Sequence, residues 1–360
     1  MSLFRRRLLL NAGNTLSNSL IARYACYDKT NEDEDRDVLK DLSGNGHDIQ
    51  LYNFAFSKNS GYGAYHLDYT TASSSLASTG VQKGVVRNVT PTSFEFRPRK
   101  IDNSGNIGVG VYIGSGGNVN IKLECANIDD SNPVYIVPYN RTVEQQGIKI
   151  KLQNGINDVS LIYSDTSYCY FTIVSENTAY TEFVSFKTIP DYKGALVSDG
   201  VDDYGLCDNF PILTKDRGYT VLAIRKILQD KGCFLSNRDN SIIGAFGMEL
   251  YTEGMWTSRT FNDGASIQNI TPPELFTYQT ANAYNGQVFT STGGYTTGVD
   301  KLVLFNLAKI LPTQYISSIA LYSIEIYDRD LTDEEIAQVK ARMIAEYEQK
   351  TGEKYTEETT

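Results

Sequence analysis

Between residues 85 and 187, short runs rich in Val, Ile, Tyr and Phe follow one another with turn residues between nearly all of them: TSFEF (92–96), IGVGVYI (107–113), NVNIKLEC (118–125), PVYIVP (133–138), IKIKL (148–152), DVSLIY (158–163), YCYFTIV (168–174) and EFVSF (182–186). β-Branched and aromatic runs of this length, bounded by turn residues, are strand signals. In NVNIKLEC, Val119, Ile121 and Leu123 fall on one face and Asn120, Lys122 and Glu124 on the other. That is the alternation of a half-buried antiparallel strand. About eight such strands in about a hundred residues fit a small β-sandwich.

A second all-β region extends from Asp191 to about Asp328, with YTVLAIRKI (219–227), IIGAFGMEL (242–250), KLVLFNL (301–307) and IALYSIEIYDR (319–329). In the last of these, Tyr322, Ile324 and Ile326 are expected on one face and Ser323 and Glu325 on the other. LIARYACYD (20–28) is a further strand near the start, and the Ser/Thr-rich TTASSSLASTG (70–80) reads as a linker. A helix closes the pattern. Thr332 is its N-cap, Glu335 completes a capping box, and Ile336, Val339, Met343 and Tyr347 form one apolar stripe, read as packing on the parent sandwich rather than as a partner interface. The 41% apolar content of the 360 residues is enough for real cores in two domains.

The formal net charge of −10 argues against nucleic-acid binding, which needs a field of Lys and Arg. No apolar stretch reaches the about 18 residues of a membrane span. MSLFRRRLLLNAG starts positive, but its apolar run stops at Asn11, short of a signal core, so synthesis and folding in a cytoplasm are expected. The five cysteines, Cys26, Cys125, Cys169, Cys207 and Cys233, are odd in number and lack a CxxC pair, and read as scattered buried thiols. In NEDEDRD (31–37), Asp33, Asp35 and Asp37 alternate as in a calcium loop. Val38 stands where an EF-hand has glycine, so the segment reads as a solvated loop.

Three segments resemble the laminin G-like, concanavalin-type jelly-roll family of bacterial and phage proteins: LKDLSGNGHDIQLYN (39–53), GALVSDGVDDYG (194–205) and SIEIYDRDLTDEEI (323–336). Ile49 and Ser198 replace a Gly and a Phe common in the family. The resemblance implies an all-β concanavalin-like jelly-roll sandwich with a short C-terminal helix. In that family the first two motifs lie a few tens of residues apart, whereas about 140 separate Asn53 from Gly194 here. The expected organisation is therefore an N-terminal attachment arm (1–18), a laminin G-like domain in two parts (19–70 and 190–347), an inserted β-sandwich (71–189) and a C-terminal tail (348–360). The family's calcium sites imply a divalent cation at Asp41 and Asp48, against the plainer reading that Asp41 caps the Ser43–Gly44 turn. The opening and the run TNEDEDRDVLKDLSGNGHDIQLYNFAFS are similar to structural proteins of tailed phages infecting gut Bacteroidales.

Catalytic patterns are missing from the sequence. A glycoside hydrolase of this fold class needs paired carboxylates on one strand, and the E-x-D-x-E spacing does not occur. His47 and His66, the two histidines, have no GxSxG-type partner, and no phosphate-binding glycine loop occurs. Binding signals rest on the 25 tyrosines and one tryptophan, with Tyr62, Tyr65 and Trp256 as candidate glycan or partner contacts, and on Arg5, Arg6 and Arg7 as a basic attachment arm. The expected function is that of a non-catalytic virion structural protein, a head or tail fibre or decoration component. It would assemble in the host cytoplasm with other virion proteins, as a homo-oligomer with a trimer favoured, and present a domain for host-surface glycan or protein. A secreted or surface lectin-like protein and a glycan-active hydrolase are the alternatives.

Overall fold

The structure is a computed structural model and describes residues 16–65, 67–70, 84–98, 107–114, 119–140, 145–163, 169–175, 182–239, 244–252, 254–261, 265–268, 270, 275–290, 298–308 and 315–356. Arg5, Arg6, Arg7 and His66 lie outside these residues. The described chain is mostly β-strand in four antiparallel sheets, with Asp333–Thr351 as its one long helix. It divides into two compact units, Met1–Gly63 with Tyr192–Thr360, and Ala64–Asp191.

The discontinuous unit has two 8-stranded sheets. One runs from Gln287–Val288 through Ala283–Tyr284, Phe276–Thr280, Thr220–Gln229, Ser318–Tyr327 and Leu196–Val197 to Gly61–Tyr62, with Leu20–Ala25 also paired to Ser318–Tyr327. The other runs from Val38–Leu39 through Ile49–Tyr52, Tyr204–Cys207, Leu302–Leu304, Gly232–Arg238, Gly244–Thr252 and Met255–Thr260 to Ala265–Gln268. Both sheets feed one core: Tyr24, Val221, Ala223, Ile324 and Ile326 from the first, and Ile49, Phe234, Phe246, Met248 and Leu304 from the second. The KLVLFNL run is a strand only over Leu302–Leu304. Phe305 takes a left-handed backbone (φ 63°) that ends the ladder and turns its N–H onto the Phe234 carbonyl at 2.7 Å.

Ser318–Tyr327 is buried along its whole length because the core covers one face and the helix covers part of the other. Here the expected alternation breaks. Ile324 and Ile326 enter the core, but Tyr322 does not. The register passes from Ile224↔Ser323 to Arg225↔Leu321, so Tyr322 is the extra residue of a β-bulge. Leu321 takes the core position, while the Tyr322 ring meets Tyr347 of the helix edge-on at 4.9 Å. The helix begins as its sequence requires, with Thr332 and Glu335 forming a complete capping box, and it ends at Gly352 in the left-handed region (φ 80°). Its stripe Ile336, Val339, Met343 and Tyr347 is buried.

The Ala64–Asp191 unit has two 5-stranded sheets around a separate core that includes Phe94, Phe96, Ile121, Leu123, Ile136, Phe171 and Phe186. Val119–Ala126 keeps the expected alternation, with Ile121, Leu123 and Cys125 buried and Asn120, Lys122 and Glu124 exposed. Residues 64–70, assigned above to the first laminin G-like part, belong to this unit instead. Leu67 and Tyr69 fill its core, and the Tyr69 hydroxyl lies 2.8 Å from Thr188 Oγ1. The chain enters and leaves the unit side by side, with the Asp191 N–H donating to the Ala64 carbonyl at 3.0 Å. Ends this close suit an insertion. A chain in which residues 64–191 are replaced by a short Gly/Ser linker is therefore expected to refold with the near-ultraviolet signature of Trp256 intact. Loss of that signature would show that the remainder does not fold alone.

Candidate functional site

The three motifs meet in the discontinuous unit. Ile49–Tyr52 of the first pairs with Tyr204–Cys207 of the second, and Leu196–Val197 of the second pairs with Ser318–Tyr327 of the third. The Asn53 side chain, next after the first of these strands and left-handed (φ 66°), donates to the Asp202 carbonyl at 3.0 Å.

In the SGNG turn, Asp41 works as a backbone acceptor. Its Oδ1 takes the Arg23 and Ser43 amides at 3.0 and 2.9 Å, and its Oδ2 takes the His47 amide at 3.1 Å. Asp48 takes the Asp41 amide on Oδ1 and Lys40 Nζ on Oδ2, each at 2.8 Å. Of the oxygens expected to face a cation, Asp41 Oδ1 thus ties the turn to Leu20–Ala25 and the others tie the turn to itself. Partial burial pushes both carboxyls up, but the Ser43, Arg23 and His47 donors at Asp41, and Lys40 with the Asp41 amide at Asp48, outweigh it and hold both below the usual carboxylate range. A carboxyl with a depressed folded pKa contributes stability above its unfolded pKa and loses it as pH falls through the folded value. Asp41→Ala is expected to cost about 2 kcal/mol near neutral pH, since three amides lose their acceptor. Asp41→Asn is expected to make the acid limb of the stability curve shallower below about pH 4. Urea titrations between pH 2.5 and 7 test this, and parallel curves for variant and parent would count against it.

The second motif gathers carboxylates. Asp199, Asp202 and Asp203 sit on the turn between Leu196–Val197 and Tyr204–Cys207, and one ligand atom from each lies within 4.8 Å of the others, a spacing that could hold a divalent cation. Gly200 in the left-handed region (φ 74°) closes the turn, and Asp199 Oδ1 accepts the Val201 amide at 2.8 Å. The acidic loop 31–37 is spent otherwise: Asp33 binds the Thr30 amide and hydroxyl, and Asp35 pairs with Lys29.

The aromatic candidates divide. Tyr62 is buried, stacked on Phe56, with its hydroxyl on the Arg36 carbonyl at 3.2 Å, and Trp256 is buried in the core against Tyr251. Burial leaves neither ring a face for a glycan or partner. Their flanking sequences alternate too weakly to reveal this. Tyr65 is half-buried and belongs to the other unit. Instead, Tyr52 (38% exposed) and Tyr204, neighbours across paired strands, stack at 5.0 Å and 14°. All five cysteines are free and buried. Burial pushes the Cys26, Cys125 and Cys233 thiols up to about 12 and Cys207 to about 11, which leaves them inert as nucleophiles at neutral pH.

Two buried acids were not legible as such. Glu325, expected with Ser323 on the face opposite Ile324 and Ile326, is 1% exposed and bound by Arg23, Arg342 and the Tyr327 hydroxyl, which ties the helix to the sheet. Glu249 is wholly buried and paired with the equally buried Arg225. Arg225 points inward by plain alternation after Val221 and Ala223. Glu249 does so because its left-handed backbone (φ 58°) forms a bulge between Gly247 and Leu250.

No family model matches the chain, and no curated protein matches it. Among solved structures, a crystal structure described as that of a "putative secreted protein" from Parabacteroides distasonis is similar over 86% of this chain and 97% of its own, at 8% identity and a TM-score of 0.20. Among the described residues, no helix is long and apolar enough to cross a membrane.

Proposed function

We propose that this protein is a non-catalytic structural and recognition protein of laminin G-like type, built into a virion as a fibre or decoration component. The convergence of the three motifs, far apart in sequence, onto neighbouring strands of one unit carries the laminin G-like part of this reading. The non-catalytic part is supported by how the acids are used. Asp41 and Asp48 hold a turn, Glu249 and Glu325 are locked in buried ion pairs, and burial pushes the Cys26, Cys125, Cys207 and Cys233 thiols up. The virion setting, with a basic Arg5–Arg7 arm docking on other virion proteins and an oligomer, a trimer by preference, as the working form, follows from the sequence resemblance to tailed-phage structural proteins. Mass spectrometry of purified particles tests it. Stoichiometric recovery of the chain supports it, and absence from particles together with a stable monomer in solution overturns it. The same preparation is expected to release no sugar from a polysaccharide panel, and turnover that survives purification to homogeneity would point to a glycan-active enzyme.

A second reading, a free lectin-like carbohydrate-binding protein, is favoured by the partly exposed Tyr52–Tyr204 pair, since amphipathic rings suit sugar faces. Glycan-array binding that is lost in Tyr52→Ala, without association with particles, would favour this reading over the first.

A further inference from the structure

We infer that the turn bearing Asp199, Asp202 and Asp203 binds a hard divalent cation of the calcium class. The inference rests on the local geometry of the turn and does not depend on the recognition role.

Asp203 is the centre of the case. The residue is 0% exposed, and its two oxygens are treated unequally by the fold. Oδ2 accepts the Asp199 amide at 2.9 Å, while Oδ1 is buried with no hydrogen-bond partner. An unpaired buried carboxylate oxygen is costly, and native folds rarely leave one without a compensating group. The groups nearest it in the turn make matters worse. Asp199 and Asp202 bring further negative charge, and the ligand atoms of all three lie within 4.8 Å of one another. None of the three forms an ion pair with a Lys or Arg among the described residues. Lys231 runs past the turn, its Cε 2.8 Å from where a Cβ on Gly200 would stand, without reaching a carboxylate. A cation would supply the missing charge and the missing partner together.

The donor set selects the ion. Three carboxylates with no His or Cys favour hard, oxygen-seeking cations over zinc or copper. Calcium bonds oxygen at about 2.3–2.6 Å, so its ligands stand up to roughly 5 Å apart, which the 4.8 Å limit satisfies. Magnesium demands about 2.1 Å and near-octahedral order, which a turn of consecutive carboxylates suits less well. Entry is open, because Val201 at the tip of the turn is 65% exposed and Asp199 and Asp202 are only half-buried, leaving room for water to complete the shell.

The test uses the full chain, stripped with EDTA, with calcium chloride as the probe. Titration calorimetry is expected to find one site. Thermal unfolding is expected to show the Trp256-reported transition rising by several degrees at 1 mM calcium, as for any ligand that binds only the folded state. Asp203→Asn keeps an acceptor for the Asp199 amide and removes the buried charge. It should fold, match or exceed the parent in EDTA, and bind calcium at least tenfold more weakly. Should Asp203→Asn not fold, Asp202→Asn, on the half-buried rim, is expected to weaken binding to a similar degree. Calcium binding and melting that are unchanged in a folded variant of either kind, or an identical parent transition with calcium and with EDTA, would overturn the inference. Binding abolished instead by Asp48→Asn would move the ion to the SGNG turn and overturn it equally.

Discussion

Glu249→Gln is expected to lower the stability of the discontinuous unit by about 4 kcal/mol, one of the largest effects open to a single isosteric change in this chain. Arg225 and Glu249 are both 0% exposed and face each other between the two sheets. The Tyr284 hydroxyl donates to Glu249 Oε1 at 2.9 Å, and the Arg225 guanidinium lies 5.4 Å from the Phe234 ring centroid. Removing the negative partner takes the Glu249 counter-charge away from a guanidinium that water does not reach. Desolvation is then no longer offset, which is why breaking a buried pair costs far more than the pair contributes relative to an apolar replacement. The double variant Arg225→Met with Glu249→Leu is accordingly expected to recover most of the loss. Trp256, the single tryptophan, lies in the same core and reports the transition in urea. A loss of less than about 1 kcal/mol, the range of an exposed pair, would show that the site is hydrated and the account mistaken.

Phe186→Ala is expected to lower the stability of the Ala64–Asp191 unit by about 3–5 kcal/mol and to leave the Trp256 transition in place. Phe186 is fully buried and stacks on Phe94 at 5.1 Å, and Phe94 meets Tyr69 edge-on at 4.8 Å, so truncation opens a cavity in an aromatic column. The core it damages has no residue in common with the core around Trp256. Circular dichroism followed beside Trp256 fluorescence should therefore split into two steps. A coincident shift of both probes would mean that the chain unfolds as one cooperative body.

Much of this was legible because it depends on local pattern. Period-two alternation placed Ile121 and Leu123 inside, and the Thr332–Glu335 spacing placed the helix start, since a capping box is satisfied within four residues. The breaks in the inside–outside order share one cause. At Tyr322 and Glu249 a bulge adds a residue to one strand and inverts the inside–outside order beyond it, and nothing in the alternation announces the extra residue. Tyr62 and Trp256 were read as candidate contacts because they are aromatic, but exposure depends on which sheet covers the ring.

The sequence by itself therefore determined the all-β character, most strand positions and the capped helix, for each follows from propensity and spacing within a few residues. Tertiary structure alone decided the uses of the charged groups. Whether Asp41 faces an ion or three amides, whether Glu325 lies open or between two arginines, and whether Asp203 Oδ1 finds a donor all depend on which groups the fold brings together, Arg23 with Asp41 and with Glu325 among them, or on the lack of one. The energy of a charge is set by what surrounds it in space, and neighbours in sequence carry little of that information.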